Sequence, residues 1–501
     1  MKKIVLDKLE FRRQYISGPE SNIFPGWNFV TLPGGRTIAA HPDLQLTDYE
    51  GKNFRLILLG YILNPYHPTQ SNFHVLSNID ETSHDYAGLC EQLYDKSGHY
   101  VLFAIKGANG IVLNDVGGLK QVYYYLDPKG QTWFTSHASI LSKHLNLPFD
   151  EEALHYTHSE KYKKKLEPWF PTDTSPYTGV KRLVPNHYLD INTLSQTRFW
   201  PVKKLKHYSL VEGTRQVGNL IKGASEAGHN RFPVAVSLTG GYDSRVVLAG
   251  CRDFAQDIEV FTMIYRHLSE KSEDLLIASQ IAREMNLKYH YFKCNQEIPT
   301  YFVNLYQQNT EGYKTDWMNL VYARYTNIPQ EKVVYKGNLA EAIRCDFWPD
   351  GIYPVEVTVQ TLVEASCLGN DPFIYNALEK WMREAESLEK YNYRLLDLFA
   401  LEVEAGSWQA MSHSIFGIAH EEYSPFANRK LLDISLGVHK RYRSWPKIQF
   451  EQEIVKYLWP ELANFPYYSS WSMHGYKKKF YDGDLLNFFR KVRHNIKRRI
   501  K

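Results

Sequence analysis

The stretch VAVSLTGGYDSRVVLAG, residues 234–250, places a glycine pair and an aspartate between two apolar runs. The first run reads as a strand and the second as a helix. The turn between them therefore lies at a helix start, where unpaired backbone N–H groups and the helix dipole favour an anion. Gly240 and Gly241 let those amides approach an oxyanion closely. The turn has no lysine, and neither the Walker pattern GxxxxGKS/T nor GxGxxG is present. Asp243 would repel a phosphate unless a divalent cation lay between them, and a magnesium bridge turns that acid into an anchor. The plainer account is a capped helix start, with Thr239 or Asp243 satisfying backbone donors and no ligand present.

A turn of this kind serves a ligand at the carboxyl edge of a parallel sheet, and the surrounding pattern supplies one. LVEGTRQVGNLIKGASEAG reads as helix, FPVAVSL as strand and SRVVLAGCRDF as helix. DIEVFTMIY and KYHYFKC read as strands on either side of SEDLLIASQIAREMNL, a helix with acids in its first turn; EKVVYKGN adds a strand and a turn. From about residue 340 the pattern is mostly helical and rich in tryptophan and tyrosine. Earlier in the chain, NFRLILLGYILNP, GHYVLFAIKGANGIVLND and KQVYYYLDPKGQTWFTSH are alternating strands broken by glycine turns, which predicts a β-rich domain with few helices. The boundary falls near 205, around TRFWPVKKLKHYS, giving domains 1–205 and 206–501.

At 501 residues the chain is too long for one core, and 44% hydrophobic with 23% charged residues excludes a disordered chain. A net charge of +4 is too small for a dedicated nucleic-acid binder, so no nucleic-acid partner is expected. Cys90, Cys251, Cys294, Cys345 and Cys367 are scattered without CxxC spacing, as suits reduced thiols. MKKIVLDKLEF gains charge at Asp7 and Lys8 before a signal-peptide core can form, and FRLILLGYIL stops far short of the ~20 residues of a membrane span. Cytoplasmic residence is the expectation. In DLLNFFRKVRHNIKRRIK, residues 484–501, Leu485, Phe489, Val492 and Ile496 recur at helical spacing, with seven Lys or Arg after Phe489. Such a basic helix either packs its stripe on its own domain or makes a peripheral membrane contact, with nucleic-acid binding a third alternative.

SLTGGYDSR resembles the SGGxDS pyrophosphate loop of the ATP pyrophosphatase superfamily, with Thr239 replacing its first serine. Other segments are similar to those of the asparagine synthetases and their relatives. In VVYKGNLAEAIR, Gly337 and Glu341 match the glycine and the second metal-binding acid of the SGEGSDE segment. EEYSPFANRKLLD resembles the VPFLD-type segment, and WPKIQFEQEIVKYLWPEL resembles the lysine-bearing segment that follows it. Near the N-terminus, GYILN is similar to the GEIYN segment of class II glutamine amidotransferase domains, NDVGGLKQVYYY to their DRxGxxPLYY segment, and YTGVKRLVPNHYLDI to the stretch leading out of the domain. The resemblance implies an N-terminal Ntn-type αββα sandwich, then a parallel α/β (HUP-like) synthetase domain with a helical remainder.

The implied activity is a ligase that adenylates a carboxylate with ATP and passes the acyl group to ammonia or an amine. By that resemblance Thr239, Gly240, Gly241 and Ser244 would grip pyrophosphate, with Ser237 and Leu238 completing the ATP site at the strand end. Asp243 and Glu341 would hold Mg2+, the backbone near Met263 would meet adenine, and Lys336 and Gly337 would touch AMP. Lys447 would stabilise charge during adenylation, and with Glu341 it completes the catalytic set. The residues alone leave open a solvated Lys447 and an exposed helical Glu341. ATP and Mg2+ are the expected cofactors, and a small-molecule or peptide carboxylic acid and an amine or ammonia the expected partners; a homodimer stays open.

The chain also departs from the pattern. Class II glutaminase domains use a leading cysteine as nucleophile, whereas MKKIV has none and the first cysteine is Cys90, so glutamine hydrolysis is not expected. Asn64 of GYILN then reads as a turn residue, and the N-terminal domain as a scaffold or partner surface. Asn338 stands where the asparagine synthetases have a glutamate, Leu339 and Ala340 replace small residues, and Tyr423 replaces an arginine suited to an aspartate carboxylate. Relatives without the glutaminase cysteine include β-lactam synthetases and lasso-peptide cyclases. The alternatives are an ammonia-dependent asparagine synthetase and a retired fold that binds nucleotide or a partner without turnover. Enzymes that thiolate transfer RNA fit worse, since their cysteine pairs are missing.

Overall fold

The computed structural model describes residues 8–19, 24–310, 316–348 and 351–468. The opening MKKIV and the basic stretch 484–501 lie outside the described residues.

In the first part of the chain two six-stranded antiparallel sheets face each other. One runs edge to edge Lys181–Arg182, Tyr123–Leu126, Thr132–Thr135, Tyr15–Gly18, Thr37–Ala40, Asn28–Thr31. The other runs Gln196–Arg198, His187–Asp190, Asn109–Asn114, Ser97–Lys106, Arg55–Leu63, Leu46–Glu50. Period-two alternation divides the long strands between two cores. Ile57, Leu59, Val101 and Phe103 point at Tyr15, Ile38 and Ala40 of the facing sheet. Leu56, Leu58, Tyr100 and Leu102 point outward and are covered by Val75, Leu76 and Ile79 of helix Asn72–Thr82 and by Leu89 of helix Tyr86–Gln92. On the far side, Ile16, Ala39 and Trp133 pack under Ile140 and Leu141 of helix Ala138–Leu145. The layers are helix, sheet, sheet, helix. The outward apolar face of each sheet needs this helical cover to leave water, at about 25 cal/mol per Å² buried.

The later part is built on a five-stranded parallel sheet ordered Lys288–Lys293, Glu259–Ile264, Val234–Ser237, Val333–Tyr335, Glu422–Tyr423. Chain order runs outward in one direction from Val234–Ser237 and then reverses to Val333–Tyr335. That reversal is a topological switch point, where successive helices leave on opposite faces and a crevice opens beyond the strand ends. Helix Gln449–Leu458 packs on both Leu210–His229 and Tyr242–Gly250. The last antiparallel strand ends at Arg198 and the first helix of the parallel part begins at Leu210; we retain 205 as the proposed division. The two parts share a core: Tyr61, Leu63, Val116 and Leu119 belong to one hydrophobic cluster with Val234, Val236 and Val334. Among the described residues no helix is long and apolar enough to cross a membrane.

Candidate active site

The switch point places the turn after Ser237 beside the turn after Tyr335. A Cβ added to Gly337 would lie 2.3 Å from the Asp243 Cβ, so only glycine lets these two turns touch. Helix Tyr242–Gly250 starts at Gly241 with no side-chain cap bond. The turn is organised by its own side chains: the Ser244 hydroxyl accepts from Thr239 N (3.1 Å) and lies 3.0 Å from Thr239 Oγ1, while Gly241 N donates to Thr239 Oγ1 (3.2 Å). Gly240 N donates to the Asp274 carboxylate at 3.1 Å. Burial pushes the Asp274 carboxyl up, with the Gly240 amide opposing.

The two acids expected to hold a metal have protein partners. Asp243 pairs with the Arg344 guanidinium, which also binds Glu451 through Nε–Oε1 (2.5 Å) and Nη2–Oε2 (3.2 Å). Burial pushes the Glu451 carboxyl up while Arg344 pulls it down. Glu341 Oε2 accepts from Gln409 Nε2 at 3.0 Å, and Gln409 Oε1 accepts from Leu339 N at 2.9 Å. Leu339 holds φ 70°, a left-handed conformation that favours glycine, and its buried side chain reaches Gly117 of the first part. Among the described residues no group of three or more His, Cys, Asp or Glu is arranged to hold a metal ion. Two carboxylates suit magnesium only when phosphate oxygens complete the shell, and then Arg344 must yield Asp243.

Behind Lys336 lies a buried charge network joining the two parts. Glu422, fully buried, pairs with Arg324 and accepts from Lys336 Nζ at 3.2 Å, with His413 Nε2 3.8 Å away. His413 Nε2 is 3.3 Å from Asn338 Oδ1. Burial, with His99 and Lys336 nearby, holds the His413 imidazole well below its ordinary pKa, so the ring is neutral. Glu421 binds His99 at 2.5 Å and Lys120 at 3.5 Å; burial would raise its carboxyl, but Lys120, the His99 hydrogen bond and Arg13 hold it low. Tyr423 is fully buried with its hydroxyl 2.7 Å from Ser97 Oγ.

The structure thus brings Thr239, Gly240, Gly241, Asp243, Ser244 and Gly337 together, with Lys336 adjacent in the chain. Met263 is half-buried on the neighbouring strand, Ser237 is half-buried, and Leu238 is fully buried, leaving its side chain to the core. Lys447 is exposed, one turn before the helix that carries Glu451. Asn64 is a turn residue whose Nδ2 donates to Gln70 (2.9 Å) and whose Oδ1 accepts from Tyr66 N (3.1 Å). Arg344, Asp274 and Glu422 were not singled out from sequence. Arg344 lies three residues after Glu341, the one local signal that could have drawn attention to it.

No family model matches the chain, and no curated protein does. Among solved structures it is similar to one described as the allosteric regulatory enzyme of purine biosynthesis, at 12% identity and TM-score 0.25, over 57% of this chain and 66%, just under two thirds, of that one. It is also similar to glutamine phosphoribosylpyrophosphate amidotransferase from B. subtilis complexed with ADP and GMP, at 11% identity and TM-score 0.24, over 68% of this chain and 72% of that one.

Proposed function

We propose that the chain is an ATP-dependent, amide-forming ligase of the asparagine synthetase-like kind, with its site at the switch point of the parallel sheet. The observation that carries this reading is the contact between Gly337 and Asp243, which joins the glycine turn to the segment leading into the short helix Ala340–Ile343 that bears Glu341. In this reading a carboxylate oxygen attacks the α-phosphorus of ATP, the α–β phosphoanhydride bond breaks, and acyl-adenylate and pyrophosphate form. The amine nitrogen then attacks the acyl carbon, AMP leaves, and the nitrogen loses a proton. Catalysis of this type is alignment and charge compensation. The Gly240 and Gly241 amides and the Ser244 hydroxyl hold the departing pyrophosphate, Lys336 faces AMP, and Lys447 closes on the reacting phosphate. Asp243 and Glu341 would hold magnesium, which supplies charge neutralisation at the phosphates.

Tyr423 and Asn338 argue against aspartate as the acid. The hydroxyl of the first is committed to Ser97, and the second offers an amide beside a neutral histidine. The test is exchange of labelled pyrophosphate into ATP across a panel of carboxylic acids. Exchange that depends on one acid and disappears in Asp243→Ala supports the ligase; AMP release with no acid on a broad panel sinks it.

A second reading, nucleotide binding without turnover, draws on Arg344 standing against Asp243 where a metal would be needed. Calorimetry separates the two: ATP binding with magnesium but no AMP from any acid favours the retired site.

A further inference from the structure

Arg245 is fully buried on the helix that follows the glycine turn, and its guanidinium donates to backbone carbonyls. It reaches Phe465 O at 2.9 Å, Pro466 O at 2.6 Å and Gly240 O at 3.4 Å, clamping the segment that follows helix Gln449–Leu458 onto the turn. The Tyr467 ring lies flat on Tyr242, with centroids 4.2 Å apart and planes 9° off parallel, and the Arg245 guanidinium carbon sits 3.8 Å from the Tyr467 centroid. Tyr468 N donates to Gly240 O at 3.2 Å. The Tyr468 ring covers both glycines: a Cβ on Gly241 would be 2.6 Å from its hydroxyl, and one on Gly240 would be 3.2 Å from its ring.

We propose that Phe465–Tyr468 is an autoinhibitory strap that occupies the phosphate position over the glycine turn and has to be displaced before nucleotide binds. The inference rests on the nucleotide reading of this site. An oxyanion bound by the turn needs its oxygens about 3 Å from the amides, and the Tyr468 ring and hydroxyl stand against the Cα atoms of the same two glycines, on ground that a bound phosphate would need. The turn is self-sufficient with the strap down, since Gly240 N is bonded to Asp274 and Gly241 N to Thr239. Neither bond involves the strap, so lifting it leaves the turn's own bonds in place. Lifting the strap also frees the donors of Arg245 beside the turn, and a guanidinium fork suits phosphate.

Calorimetry of ATP with magnesium on the full chain, Tyr468→Ala and Tyr468→Phe tests the strap, together with amide exchange at Tyr468 in the unsubstituted chain. If the closed position outweighs the open one by about ten to one, Tyr468→Ala binds about tenfold more tightly. Tyr468→Phe keeps the ring and stays close to the natural chain. Adding ATP and magnesium speeds exchange of the Tyr468 amide, because its bond to Gly240 O is lost. Equal or weaker binding by a folded Tyr468→Ala, or slower Tyr468 exchange with ATP, overturns the strap. Binding that is lost in Asp243→Ala but unchanged in Tyr468→Ala removes the strap and leaves the nucleotide site standing. No binding by either form removes both.

Discussion

The two parts of the molecule treat their polar side chains differently. In the antiparallel part they are closed into the scaffold: Asn64 has both ends of its amide bonded within its own turn, and Asp80 accepts three backbone N–H bonds from Lys52, Asn53 and Phe54. At the switch point of the parallel sheet, Asp243 and Glu341 pair instead with the side chains of Arg344 and Gln409, and Gly240 N donates to the Asp274 carboxylate, all partners that a ligand could replace. The charge network between the parts belongs with the first kind, because Glu422 and Arg324 are wholly buried together.

The contrast makes predictions that differ in size and in readout. Glu422→Ala leaves buried Arg324 and Lys336 uncompensated, and is expected to lower unfolding free energy by about 3–5 kcal/mol in denaturant titration. A loss below about 1 kcal/mol would move that network out of the scaffold. Asp243→Ala should do the reverse, cutting acid-dependent pyrophosphate exchange by at least about 10²-fold at nearly unchanged melting temperature. A collapsed melting temperature with intact exchange in the surviving protein would invert the comparison.

Acid should strike both parts through buried histidines, His413 and His420 in the later part and His41 and His137 in the antiparallel part. Burial, with Lys143 nearby, lowers the His137 imidazole to about 4, and burial lowers His41 to about 4 as well. The unfolded imidazole titrates near its ordinary 6.5. Stability from these groups is therefore complete above pH 6.5 and is lost as pH falls toward 4, with no further loss below. For His137, which is 2% exposed, the loss reaches about 3 kcal/mol. Melting temperature against pH should fall across that window in the natural chain and fall less in His137→Gln; parallel curves would remove the assignment. Smallest is Asn64→Ala, expected to cost about 1 kcal/mol and to leave ATP binding alone. A change in nucleotide affinity there would tie the two parts together functionally.

Much of this architecture was legible in the sequence because it depends on local pattern. Residues 56–59 and 101–105 are unbroken apolar runs because both faces of these strands are covered, and the hairpin from Ser97 to Asn114 follows its glycine turn. Strand and helix alternation after residue 209 announced the parallel sheet, and the glycine turn lies at its switch point. Helices Asn72–Thr82 and Tyr86–Gln92 were not legible. They are short and polar, and their starts depend on Ser71 and Asp85 capping bonds that also occur in turns. Arg344 against Asp243, Asp274 against Gly240 and the strap over the glycines are contacts between distant segments, which no local period encodes. Glu422 misleads in its own way: a charged residue on a two-residue strand reads as surface, yet burial there is sustained by Arg324 from another helix.

The central claim is that carboxylates at the starts of two helices, Asp243 and Glu341, hold nucleotide phosphates through magnesium at the switch point. Calorimetric titration of ATP into the natural chain, Asp243→Ala and Glu341→Ala, each with magnesium and with chelator, tests it most directly. The account predicts ATP binding that requires magnesium in the natural chain and is lost in both variants. ATP binding of equal strength with chelator, or undiminished in either variant, would contradict it.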